Sequence, residues 1–213
     1  LRLVQQGVVV DQRFRSKDRA SGESFVWDST DTVIGQETFK GRNALLITTE
    51  ATLTQRGVTS VSQVDNYINV QRAKSRIRSY GSVATTFLDG VEQGTAEVTY
   101  DPPYLTRFDL SPKQRHTQKL DIETRTEAAQ GSFVDSYRER ITRIYLGRQA
   151  VKVPLGRRQA CKFRVVSAVT QLGITSKYVS TQFYDVKSGL LLKAISDSDI
   201  TVLVRAKIDG ANI

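Results

Sequence analysis

The sequence predicts an all-β fold of strongly curved antiparallel sheets assembled from two duplicated β units. Three observations predict it: long segments alternate apolar and polar residues with period two, glycine-containing turns punctuate them, and one stretch recurs at a fixed offset. In its second copy, residues 153–193, the stretch reads as a meander. Val153-Pro154-Leu155-Gly156 leads into an alternating run through Cys161, Phe163 and Val165; Gly173 turns the chain, and a second run reaches Tyr184-Asp185-Val186. The hairpin Lys187-Ser188-Gly189 then enters Leu190-Leu191-Leu192.

In chain order, Val8-Val9-Val10 reads as a short strand, and Asp11 to Glu23 as a charged loop or arm. Ser24-Phe25-Val26-Trp27 is a strand that ends at the turn-prone Asp28-Ser29-Thr30-Asp31. Asn43 to Gln55 alternates, with Leu45, Ile47, Thr49, Ala51 and Leu53 on one face. Gly57 turns the chain and Val58 to Val70 returns. Arg72 to Tyr80 reads as a third strand, and Val83 to Leu88 ends at Asp89-Gly90, a dipeptide suited to the positive φ angles of a type I′ hairpin. Ala96, Val98 and Tyr100 line one face of the next strand. Pro102, Pro103 and Pro112 then interrupt the sheet, because proline has no amide hydrogen to give a ladder. This divides the chain into a first β unit with an N-terminal arm (1–100), a proline-containing connection (101–116) and a second β unit (117–213).

In the second unit, Thr117 to Arg125 places Leu120 and Ile122 inward. Phe133, Tyr137, Ile141 and Tyr145 share both strand parity and a helical spacing of four; the abundance of Thr, Tyr, Val and Ile and the lack of a capping pattern favour strand. Ile200, Val202, Val204, Ala206 and Ile208 close the chain as another alternating strand.

Shifted by 116, residues 42–70 fall on residues 158–186 without a gap, with 8 of 29 positions identical. Patterning alone explains matched apolar positions, but not the shared Thr-Gln-x-Gly-x-Thr-Ser turn, so the halves read as duplicated units. Two such units pack face to face as in a sandwich, or join edge to edge.

The pieces Val153-Pro154-Leu155-Gly156 and Phe183 to Leu190, with the Tyr100-Asp101-Pro102-Pro103 loop before them, resemble exported bacterial β-proteins related to the LolA/LolB and LppX-like group. The resemblance implies a curved antiparallel half-barrel that shelters an apolar ligand on its concave face. It further implies periplasmic or otherwise exported location and a lipid or lipoprotein-like ligand. The chain has no methionine, hence no initiator residue, and removal of an export signal from its front is the expectation.

A formal charge of +9 favours anionic partners. Arg72, Lys74, Arg76 and Arg78 recur with period two, which on one strand would make a stripe of cations about 6–7 Å apart. Arg138 and Arg140 repeat the arrangement. These six are the candidate anion-binding residues, for an anionic envelope component; a solvated outer sheet face is the plainer reading of the same pattern. A nucleic-acid-binding sheet interleaves aromatic residues with its cations, and only Tyr80 does so here, so nucleic acid is not expected. No catalytic constellation is visible. His116, the single histidine, reads as a surface-loop residue and Cys161, the single cysteine, as a packing residue. No cluster has metal-ligand spacing, no run is long and apolar enough to span a membrane, and no cofactor is expected. The function expected is an exported binding or carrier protein for an apolar or amphiphilic ligand. The alternative is a structural or interaction module that docks a protein or anionic polymer through basic strand faces.

Overall fold

The computed structural model describes residues 4–55 and 57–213. Residues 1–3 of the expected N-terminal arm and Arg56 lie outside the described residues. The strands are β1 Val9–Asp18, β2 Ser24–Phe39, β3 Arg42–Gln55, β4 Val58–Gln71, β5 Arg76–Leu88, β6 Val91–Arg107 and β7 Arg115–Ala128. They continue with β8 Gly131–Val153, β9 Gly156–Gln171, β10 Ile174–Asp185, β11 Leu191–Ser196, β12 Asp199–Ile208 and the two-residue β13 Ala211–Asn212. Each strand pairs with the next, and β1 also pairs antiparallel with β12 from Val10↔Ile208 to Asp18↔Asp199.

That last ladder corrects the expected architecture. The sheet is a single closed barrel of strands β1 to β12, not a half-barrel and not a sandwich. The closing strand was hidden in Asp11 to Asp18, which its charges made look like a loop. Those charges belong to one face: Arg13, Arg15 and Lys17 alternate with Gln12, Phe14 and Ser16, of which Phe14 and Ser16 are buried. The turn expected at Asp28–Asp31 is likewise absent, and β2 runs through it. Asp28 accepts two bonds of 2.7 Å from Arg13 across the β1–β2 ladder, while Asp31 accepts from Gln12 and Thr49 on its two neighbours.

Closure demands curvature, and β-bulges supply it. Register shifts occur at Arg13/Phe14, Val33/Gly35, Tyr67/Ile68, Ser79/Gly81, Thr86/Phe87, Tyr145/Gly147 and Phe183/Tyr184. Pro102 and Pro103 lie inside β6, whose ladder to β7 stops at Asp101↔Asp121. Past that point the two strands part and Gln118 reaches across, its Oε1 accepting from the Leu105 amide at 3.0 Å. The hairpin at Asp89-Gly90 has φ of +47° and +82°, as expected of type I′. Leu120 and Ile122 face inward, and the run 132–146 is strand. Outward from β7 point Lys119, Asp121, Glu123 and Arg125, whereas a wall facing lipid requires an apolar band.

The interior is filled unevenly. Leu120, Ile122 and Ile141 form one core with Tyr100, Tyr104, Tyr137 and Val165. In the other, Val10, Phe14, Leu203 and Ala206 of β1 and β12 pack against Val151, Val153 and Ala160. Ala160 and Phe163 are three apart on β9 and so point to opposite faces, and both are buried. The far end of the β8–β9 hairpin is therefore covered on both sides. At the 116-residue offset β3 and β4 fall on β9 and β10. Ala44 (1% exposed) matches Ala160 (0%), and the Thr54–Thr59 hydrogen bond across one turn matches Thr170–Thr175 across the other.

Gly81 sits at the β5 bulge beneath the Phe39 ring, which stacks on Tyr67 at 4.3 Å. A Cβ there would stand 2.2 Å from the Val98 carbonyl oxygen and 2.6 Å from the Phe39 ring. Overpacking of this kind costs about 2 kcal/mol, so Gly81→Ala is expected to lower the melting temperature in calorimetry by roughly 4–8 °C; an unchanged melt would show that this contact is not tight.

Candidate functional site

In a meander, alternate turns share an end of the barrel. The connections 40–41, 72–75, 108–114, 154–155, 186–190 and 209–210 gather at one end, and they carry Lys40, Arg72, Lys74, Lys113 and Lys187 against Asp109 and Asp209. At this basic end opens a cavity of about 440 Å³. Its floor is the inward face of the β8–β9–β10 sheet, with Tyr145, Cys161, Phe163 and Tyr184, and its rim is formed by Ile77, Phe108, Leu110 and Val186 with Arg148 at the edge. This size is within the range of small-molecule sites, and an aromatic and aliphatic lining suits an apolar guest. Cys161 thus lines the cavity rather than only packing; the Tyr145 hydroxyl lies 3.9 Å from its sulfur.

Below the floor lies Arg143, 5% exposed and on the inward face of β8. Its guanidinium carbon is 4.0 Å from the centroid of Phe163, 5.2 Å from that of Phe108 and 5.3 Å from that of Tyr184. Cation–π attraction offsets part of the desolvation. Nη1 donates to Gln182 Oε1 at 3.3 Å, an oxygen that also accepts from the Tyr184 hydroxyl at 2.9 Å. Nε and Nη2 are buried without a partner, as is Nε2 of Gln118, one strand away. Tyr104 belongs to the same interior: burial holds its hydroxyl above the ordinary pKa, partly offset by a bond with Thr106 and the charge of Arg143.

His116 is not in a loop. It is a half-buried β7 residue whose Cα partner across the ladder is Arg143, and it shares the inward face. The signal missed was its parity with Gln118, Leu120 and Ile122.

The candidate cations do not form one stripe. Arg72–Lys74 are a single turn of 3-10 helix closed by Ser75 at φ +47°, so only Arg76 and Arg78 lie on β5. Arg76 and Arg107 converge on Asp109 at 2.7 and 2.8 Å, holding that carboxyl far below the usual carboxylate range. Arg72 donates to the Val4 carbonyl at 3.2 Å, and Arg138 bonds Asp121 at 3.0 Å on the outer wall of β7 and β8. Lys74, Arg78 and Arg140 are exposed. Arg72, Lys74, Arg76 and Arg78 thus sit together at one side of the basic end, on the β4–β5 connection and the start of β5, while Arg138 and Arg140 stand apart on the outer wall.

The opposite end is apolar at its tips. Leu88, Val91, Phe133, Val134 and Ile174 are exposed there, and Leu172 is 96% exposed at φ +48° in the β9–β10 turn. Among the described residues no cluster of His, Cys, Asp and Glu could hold a metal ion, and no helix is long and apolar enough to cross a membrane.

Burial, then the charges of Arg107 and Arg76, push the His116 imidazole below its ordinary pKa of 6.5, and Asp109 opposes them weakly. Arg143 faces it across the β7–β8 ladder. The folded state therefore binds fewer protons than the unfolded chain near that value, and stability falls as pH drops through 6.5 toward the folded pKa. A proton NMR titration of the single histidine is expected to give a midpoint below 6.5 in the folded protein and 6.5 in urea; a folded midpoint at or above 6.5 would contradict this placement.

No protein-family model matches the sequence, and no curated protein is similar enough to count as a relative. Two crystal structures are similar in fold. One is of a candidate lipoprotein from Parabacteroides distasonis, at 12% identity and a TM-score of 0.49, over 96% of each chain. The other is of a candidate exported protein with a YmcC-like fold from Bacteroides fragilis, at 12% identity and a TM-score of 0.45, over 95% of this chain and 96% of that one.

Proposed function

We propose that this chain is an exported cell-envelope protein that binds or carries an apolar or amphiphilic ligand, without catalysing a reaction on it. The cavity at the basic end carries the reading, because its lining is largely aromatic and aliphatic, with Arg148 and Asp185 its charged members, and it opens where the connections are mostly cationic. Arg72, Lys74 and Arg78 would draw an anionic guest or envelope component toward that end, with Arg76 committed to Asp109. We further propose that residues 1–100 and 117–213 are copies of one β unit joined by 101–116, each giving six strands to the barrel.

A second reading, docking of a protein partner, is favoured by Leu172. A leucine at positive φ stores about 1–2 kcal/mol of backbone strain, and this one is also almost wholly exposed at the apolar end. That φ, with +80° at Gly173, is what a two-residue type I′ turn demands, so it is the exposure of so large an apolar side chain that favours a contact made outside the chain.

Displacement of a fluorescent fatty-acid probe tests the first reading. Dodecanol is expected to compete with the probe on the unmodified protein. Ile77→Glu, which sets a carboxylate on the cavity rim, should weaken that competition tenfold or more while the melting temperature holds. If the probe does not bind, or binds equally well after Ile77→Glu, the cavity is not a ligand site and docking at the Leu172 end becomes the leading reading.

A further inference from the structure

We infer that Arg143 and Gln118 form a seat for a carboxylate, so that the ligand proposed above is an amphiphilic acid with its head group beneath the aromatic floor. The inference rests on the binding reading and adds the chemistry of the head group.

An arginine cannot shed its charge when buried, since its pKa exceeds about 12. Its desolvation must be offset by an anion, by aromatic faces or by hydrogen-bond acceptors. Here the acceptors fall short. The ladder neighbours of Arg143 on the inward face are His116 of β7 and Val165 of β9, and along β8 they are Ile141 and Tyr145. None is acidic. Glu139 is four residues along the same strand, about 13 Å at the backbone, and it already accepts from Ser167. Among the described residues no ion pair includes Arg143.

Three buried donors are left over, Nε and Nη2 of Arg143 and Nε2 of Gln118. Gln118 pairs with Ile141, and His116 with Arg143, so the two donor side chains are diagonal neighbours on one face. The fork of an arginine matches the two oxygens of a carboxylate, and a neighbouring amide N–H can take a further lone pair. The three rings that cage the guanidinium also wall the cavity, and Phe108 stands on the β6–β7 connection rather than in a ladder. Arg143 and Gln118 do not themselves line the cavity, so the Phe108 ring must turn aside when a head group enters. An apolar tail in the cavity and an acid head at Arg143 satisfy both halves of the site.

The test compares dodecanoate with dodecanol, equal in chain length and different in head group, by calorimetry at pH 8 and below the critical micelle concentration. The intact protein is expected to bind dodecanoate at least tenfold more tightly. Arg143→Gln should reduce that preference to within about twofold. Acetate, a head group without a tail, should shift the Arg143 Nε–H resonance in nitrogen-15 NMR, assigned by its loss in Arg143→Gln. Equal affinity for acid and alcohol in the intact protein, or a preference that survives Arg143→Gln, overturns the inference, and the first comparison decides it even if the variant fails to fold. If neither amphiphile binds but acetate moves the resonance, the seat stands and the carrier reading fails. If acetate moves nothing and no preference exists, water alone serves these donors and the seat is refuted.

Discussion

The ladder between β1 and β12 is the constraint on which the rest of the molecule depends. Without it the sheet would have two long edges, each a row of unpaired amides and carbonyls open to association. With it, every strand from β1 to β12 has a neighbour on both sides. The seam is fastened on both faces. Inside, Phe14 stacks on Trp27 at 4.4 Å and packs with Leu203 and Ala206. Outside, Asp28 takes two bonds from Arg13 and lies 3.9 Å from Arg205, so strands β12, β1 and β2 are linked through one carboxylate. These exposed charges contribute modestly; the backbone ladder and the aromatic stack do more.

Closure also creates the problem that the functional region addresses. A barrel of this many strands encloses more space than one layer of small side chains can fill. The far end of the β8–β9 hairpin takes up part of that space, burying Ala160 on one face and Phe163 on the other. What remains at the basic end is the cavity, whose floor separates an apolar chamber from a buried guanidinium. Elsewhere the interior is polar and better satisfied: Asp31 accepts from Gln12 and Thr49, and burial raises its pKa despite those bonds. The contrast with Arg143, which keeps two donors unmatched, sets that residue apart.

Much of the strand content was legible because period-two alternation survives wherever one face is buried, as at Leu120 and Ile122. Closure was not legible, for a local reason. In β1 the inward set is Val10, Gln12, Phe14 and Ser16, half of it polar, and Arg13, Arg15 and Lys17 dominate the composition, so the segment resembled a loop. The basic stripe failed for a different reason. Period two in Arg72, Lys74, Arg76 and Arg78 means one face only if the backbone stays extended, and a 3-10 turn intervenes. Arg143 carried no sequence signal beyond its parity with Ile141 and Tyr145; its isolation from carboxylates depends on which strands flank it. The cavity, assembled from connections far apart in sequence, had none.

Cross-linking across the seam tests closure most directly. Lys17 and Ile200 are register partners in the β1–β12 ladder. In a Cys161→Ser background, the pair Lys17→Cys and Ile200→Cys is placed to form an intramolecular disulfide under mild oxidation, read by mass spectrometry as the loss of two hydrogens and protection of both thiols from alkylation. A closed barrel predicts complete cross-linking within the folded monomer. Two thiols that stay free and alkylatable in a protein with an unchanged circular dichroism spectrum and melting temperature would mean that the sheet is open.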